Sequence, residues 1–242
     1  MKINALKFLR KLILKGNNIY CPCCVKQFST FLPYGNPVRF NVKCPDCYSL
    51  ERHRLLWLFL FDSSNDLLTS KVKLLHVAPE FTFFRKFRKL TNIQYFPADK
   101  FMQGYKYPRG TKNIDISSIN FPDNYFDAIL CNHVLEHVPD DIQAMKELYR
   151  VLKPGGWAIL QVPIDCQREI TYEDSTITKS EEREKCFGQH DHLRCYGLDY
   201  EKRLKQAGYI VDKIDYYSTF SEKDIIKMGL NKGDGIIYFC KK

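Results

Sequence analysis

Nowhere in this chain of 242 residues does an apolar run approach the ~20 uninterrupted residues that a membrane-spanning helix requires, so no such helix is expected. There is no internal repeat and no low-complexity tract, and a 45% share of hydrophobic residues suffices for the core of one ordinary domain with appendages. The opening MKINALKFLRKLILKG lacks a small-residue cleavage site, and Lys7, Arg10, Lys11 and Lys15 interrupt its apolar residues. It reads as a basic amphipathic helix over residues 1–17, with Ile3, Leu6, Leu9, Leu12 and Ile13 on one side, and not as a secretory leader. Docking of that helix on its own domain is preferred over contact with a membrane surface through residues 1–15. The expected compartment is cytoplasmic.

Acidic residues are scarce in the first half. Residues 1–112 hold 20 Lys and Arg against 6 Asp and Glu, a net +14, whereas the remainder holds 17 against 22, a net −5. A basic half of this kind suits an anionic partner: nucleic acid, anionic headgroups or a phosphate-bearing glycan precursor. A merely solvated surface is the equal alternative.

Cysteine, by contrast, is abundant. Cys21-x-x-Cys24 and Cys44-x-x-Cys47 form two knuckles with 19 residues between them, a spacing that fits a small four-thiolate, zinc-ribbon-like module over 18–48 with Cys21, Cys24, Cys44 and Cys47 as ligands to a structural zinc. Cys23 is a spare thiol able to replace Cys21 or Cys24. In a reducing compartment metal is favoured over two disulfides. The remaining cysteines, from Cys131 to Cys240, show no pairing pattern. A connecting helix over 49–69, capped by Ser49, would follow.

From Lys71 onward strands and helices alternate, which predicts a parallel sheet. The expected strands are 72–78, 93–99, a short third ending at Asp115, 126–132, and Trp157–Val162, with 208–217 and 235–240 closing the sheet; helices are expected at 80–90 and 197–207. Between the fourth and fifth strands, Asp140 is placed as an N-cap, and Ile142, Met145, Tyr149 and Leu152 recur at helical spacing. Lys153-Pro154-Gly155-Gly156 then stops the helix.

The stretch NHVLEHVPD…ELYRVLKPGGW, residues 132–157, resembles the segment after the fourth strand of class I S-adenosylmethionine-dependent methyltransferases, of the broad type 11 group that holds ubiquinone-type O-methyltransferases. The resemblance implies an α/β, Rossmann-like, seven-stranded sheet with helices on both faces over 70–242, and S-adenosylmethionine as cofactor. It further implies that Asp99 takes the ribose hydroxyls, that Asp115 takes the adenine amino group while Ile116 covers the ring, and that Asn132 and His133 flank the methionine part. One loop departs from the family pattern: His76-Val77-Ala78-Pro79-Glu80-Phe81-Thr82 contains no glycine where a Gly-x-Gly-x-Gly turn is usual. His76 and Ala78 would line the cofactor there, and Glu80 would meet its ammonium or sulfonium charge.

Methyl transfer to a hydroxyl needs alignment and removal of a proton. The segment Phe187–Arg194 lies in an acceptor-covering lid over 164–196, with His190 or His192 as base, Asp191 as orienter and Arg194 as anion clamp. A divalent ion on His190, Asp191, His192 and His133 is a second reading, and surface histidines are a third. His133 and His137 are read as packing and cofactor-loop residues rather than metal ligands, because the zincin arrangement of Glu is absent. Three functions remain: O-methylation of a small molecule or glycan, which is preferred; methylation of RNA held by the zinc ribbon and basic half; and an S-adenosyl-ligand-binding module without catalysis. The Asn-Pro-Pro-Tyr type motif of many amino-methylating enzymes is absent after the fourth strand, where Cys131-Asn132-His133-Val134 stands.

Overall fold

The computed structural model describes residues 12–65 and 67–242. The helix expected at 1–17 thus lies mostly outside the described residues; within them, Leu12 and Ile13 are exposed. The chain divides into two compact units, the first comprising residues up to Ser70 with Glu80–Lys89 and Ile214–Ile237, the second Lys71–Pro79, Leu90–Lys213 and Tyr238–Lys242. The linear division expected at residue 70 therefore differs from the spatial one, because two later segments pack with the N-terminal module.

The second unit is organised by a seven-stranded sheet: β1 (Val72–Val77), β2 (Ile93–Asp99), β3 (Lys112–Asn113), β4 (Phe126–Asn132), β5 (Leu152–Gln161), β6 (Ile210–Asp215) and β7 (Ile236–Lys241). The order is β6-β7-β5-β4-β1-β2-β3. Strands β3, β2, β1, β4 and β5 pair in parallel, and β7 joins β5 antiparallel. Leu74, Leu75, Ala128, Ile129, Leu130, Cys131, Ile159 and Leu160 are all fully buried, as near-continuous apolar runs in the centre of a covered parallel sheet must be. The third strand is shorter than expected: Asp115 only bridges Ser118, so its side chain sits in a loop.

The first unit holds two antiparallel ribbons, Ile19–Cys21 with Lys26–Phe28 and Leu32–Tyr34 with Arg39–Lys43, followed by α1 (Glu51–Leu60). The cap expected from Ser49 is supplied otherwise. Leu50 is the N-cap and its amide donates to His53 Nδ1 at 3.2 Å, while Ser49 Oγ lies 3.2 Å from the sulfurs of both Cys21 and Cys47. Arg54, on α1, is fully buried and donates to four carbonyls, those of Met228, Gly229, Val42 and Ser49, at 2.6 to 3.0 Å. It ties the ribbons and α1 to the late excursion between β6 and β7. That excursion is inserted between the two strands that close the sheet.

Helices α2 (Phe81–Phe87), in the first unit, and α3 (Asp141–Val151), in the second, follow β1 and β4 in sequence. On α3, Asp140 caps as expected, accepting from the Gln143 amide at 2.8 Å. Its buried face, however, is Asp141, Ala144, Met145, Leu148 and Val151, one position round from the expected stripe, so Ile142 and Tyr149 lie at its margin. Lys153–Gly156 is a bulge within β5 rather than a separate turn, since Phe126 pairs Leu152 and Ala128 already pairs Trp157. Gly155 adopts φ +75°, and a Cβ on Gly156 would come 2.9 Å from the carbonyl oxygens of Asp127 and Lys153. Each glycine has its own reason there.

Candidate active site and cysteine centre

In the first unit the sulfurs of Cys21, Cys24, Cys44 and Cys47 lie within 4.8 Å of one another, with Cys21 to Cys47 at 3.5 Å and Cys24 to Cys44 at 3.7 Å. A tetrahedron with metal–sulfur bonds of about 2.3 Å has edges of about 3.8 Å, so the donor set fits one ion. The distances are far beyond the ~2.05 Å of a disulfide. Cys23 is turned out of the set, its thiol donating to the His53 carbonyl at 3.6 Å, and burial pushes its pKa up. Phe28, Phe31 and partly buried Trp57 wall the centre. Four protein donors leave no position for a substrate.

In the second unit, the carboxyl ends of β1, β2 and β4 carry the expected donor-binding residues. Ala78, just past β1, has φ +45°, and its amide donates to the Ala98 carbonyl at 2.8 Å. The loop without glycine thus takes a glycine-like backbone at its smallest residue. His133, just past β4, does likewise, with φ +54° and its amide 2.7 Å from the Gln161 carbonyl. Left-handed backbone at non-glycine residues is strained and tends to mark functional turns. His76 is a core residue instead, fully buried with Nδ1 2.9 Å from Tyr95 Oη.

Asp99 ends β2, and partial burial raises its pKa. Asp115 accepts from the Ser117 amide at 2.9 Å and pairs with Lys100 Nζ at 2.7 Å; the Lys100 contact and the amide hold its pKa low. Ile116 and Asn132 are buried. Glu80 is the N-cap of α2, in the first unit.

The expected catalytic segment is split in two directions. Tyr172–Glu173 pairs with Arg194–Cys195, and an Ile164–Tyr196 bridge closes the base of this excursion, whose helix α4 spans Ser180–Phe187. His190 is exposed, whereas His192 is buried beside His137, with ring centroids 4.8 Å apart. Burial lowers the His192 pKa. Asp191 accepts from Gln189 Nε2 at 2.8 Å and faces His137 Nδ1 at 3.4 Å.

Arg194 does not present an anion clamp. It is 3% exposed, and its three nitrogens donate to Glu173 and to the carbonyls of Leu135, Val138 and Pro139 at 2.6 to 2.9 Å. Its guanidinium is consumed in holding the lid base to the turn after β4. Asp141 completes that joint, accepting from Tyr196 Oη at 2.7 Å and from Arg203 at 2.6 and 3.0 Å. Burial acts to raise the Asp141 pKa, but the Arg203 hydrogen bonds and the Arg194 charge hold it low.

In the sequence Glu136 stands only as a mark of resemblance and His137 as a packing or cofactor-loop residue. Glu136 is 1% exposed, its Oε1 is 3.5 Å from His133 Nδ1, and its backbone carbonyl accepts from the Leu193 amide at 2.8 Å. Their adjacency on a single 3₁₀ turn, Leu135–His137, was the signal available.

Residues 77–160 match a family described as "Methyltransferase domain". The matched region runs from the end of β1 to β5 and contains Ala78, Asp99, Asp115 and the turn after β4, so this part of the chain is similar to a methyltransferase domain. Demethylmenaquinone methyltransferase of Listeria welshimeri is 56% identical over 36 residues, 15% of either chain. Phosphoethanolamine N-methyltransferase 1 of Zea mays is 25% identical over 132 residues, 53% of this chain and 25% of that one. The chain thus spans a quarter or less of the length of these curated relatives. The fold is similar to that of an S-adenosylmethionine-dependent methyltransferase from Mesorhizobium loti, with a TM-score of 0.52, 12% identity, and coverage of 78% of this chain and 98% of the other.

Proposed function

We propose that the chain transfers a methyl group from S-adenosylmethionine to an oxygen of a small-molecule or glycan-type acceptor. The observation that carries this reading is the glycine-like backbone of Ala78 and His133 at the carboxyl ends of neighbouring strands β1 and β4, within the matched domain. Ligands of open α/β sheets sit beyond those ends. Asp99 is assigned to the ribose hydroxyls, Asp115 with Ile116 to the adenine, and Asn132 with His133 to the methionine part. The acceptor's proton is assigned to the cluster of His133, Glu136, His137 and His192, the last being the lid histidine that faces inward. The cysteine centre is assigned a structural zinc.

A methyl acceptor in RNA is the second reading. What favours it is a cleft of about 240 Å³ in the first unit lined by Lys26, Arg85, Lys86 and Lys89, in which Lys26 is paired with Asp46. Labelled S-adenosylmethionine offered with RNA, lipid and polysaccharide fractions decides between them: label in RNA alone removes the first reading. Calorimetry tests the donor site separately, since Asp99→Ala should weaken S-adenosylmethionine binding at least about tenfold, the worth of a lost charge-assisted hydrogen bond. Unchanged affinity would displace the site from β2.

A further inference from the structure

The turn after β4 holds side chains with a chemistry that donor binding does not use. Glu136, His137 and His192 each present a ligand atom within 4.8 Å of the other two. Glu136 is 1% exposed, and its Oε2 has no hydrogen-bond partner among the described residues, an arrangement that a buried carboxylate oxygen does not sustain without cost. The two imidazoles are held from behind. His192 Nδ1 lies 3.1 Å from the Phe187 carbonyl oxygen and His137 Nδ1 lies 3.3 Å from the Asp191 carbonyl oxygen. A carbonyl can only accept, so in each ring Nδ1 carries the proton and Nε2 the lone pair. Histidines oriented in this way, with a carboxylate such as Asp191 at the outer nitrogen, are prepared as metal ligands.

We infer that Glu136, His137 and His192 form a site for a divalent first-row transition-metal cation, distinct in donor chemistry from the four thiolates. Two imidazoles and one carboxylate leave coordination positions open, unlike the closed cysteine centre. The inference rests on the methyltransferase reading for what those positions accept, namely the hydroxyl oxygen of the methyl acceptor. The cation favours loss of the hydroxyl proton to water. The oxygen then forms its bond to the methyl carbon as the carbon–sulfur bond breaks, and S-adenosylhomocysteine leaves with that electron pair. His192 thereby acts on the acceptor's proton through the cation, as one of its ligands.

The test is titration of the full-length protein with Mn(II) alone, following free Mn(II) by electron paramagnetic resonance, because this ion prefers oxygen and nitrogen over thiolate donors. Wild type is expected to take up Mn(II), and Glu136→Gln and His192→Gln are each expected to weaken uptake at least about tenfold. Thermal melting of both variants verifies that they fold, and His137→Gln replaces either one that does not. No uptake by wild type, or equal uptake by wild type and folded variants, overturns the site. Calorimetry with S-adenosylhomocysteine on the same samples separates the two readings. Mn(II) uptake without nucleoside binding overturns the methyltransferase reading and leaves the metal site standing; nucleoside binding without Mn(II) uptake does the reverse.

Discussion

Ala78 holds a backbone conformation for which an L-residue has a penalty of about 1 kcal/mol, and it does so where glycine would have none. Replacing it by glycine relieves that strain but adds freedom to the unfolded chain, about 0.4–1 kcal/mol in the opposite sense. Ala78→Gly should therefore change stability in urea by less than about 1 kcal/mol. Ala78→Val, with a branched Cβ at positive φ, should destabilise by more than about 2 kcal/mol. Asp141 supplies a pH signature. Its folded pKa lies below that of the unfolded chain, so the unfolded state binds more protons in the window between them, beneath about pH 4. The stabilisation from this carboxylate is complete above the unfolded value and is lost as pH falls through the folded one. Asp141→Asn should lower stability at pH 7 by about 3 kcal/mol and flatten the acid limb of the profile, as read from denaturation midpoints across pH.

The helix and strand periods that mark β2, β4 and α3 are local, and those elements stand where the residue pattern puts them. The buried face of α3 was misread by one position because Asp141 counts as polar in any pattern yet is 2% exposed, paid for by Arg203 and Tyr196 from 55 and more residues downstream. The buried His192 and the exposed His190 differ for a comparable reason: alternate residues of one loop point to opposite sides, and only the packed turn after β4 selects which points inward. Arg54 on α1 is a fully buried strut of the first unit. Arg54→Ala strands four carbonyl acceptors and should destabilise by more than about 3 kcal/mol. Arg54→Lys should not restore stability, since an ammonium lacks the planar fork that reaches four oxygens at once; chemical denaturation of both variants checks this.

Across the molecule each unit has its own source of order. The second is a parallel sheet with a fully buried apolar centre. The first has one core cluster built of the cysteines with Phe28 and Phe31 and another of Leu55, Met228 and Leu230. Ribbons closed around four thiolates commonly draw folding free energy from the metal. Purified protein should therefore release zinc on thiol modification, detected with a metallochromic indicator. Cys23→Ser should keep its zinc, because that sulfur faces the His53 carbonyl, whereas Cys24→Ser should lose most of it. Retention of zinc by both variants would exclude the assigned ligand set.

Sequence alone determined what local spacing determines: two C-x-x-C knuckles, the capped helix after β4, the apolar strands of a covered sheet, and thus the fold. Each of these depends on residues a few positions apart. Only the tertiary structure decided which sulfur stands aside, that Ala78 substitutes for glycine, that Arg194 is a strut, and that Glu136 and His137 meet His192. Those outcomes depend on burial and on partners tens of residues away, and a linear pattern carries no record of which side chains will share a volume from which water is excluded.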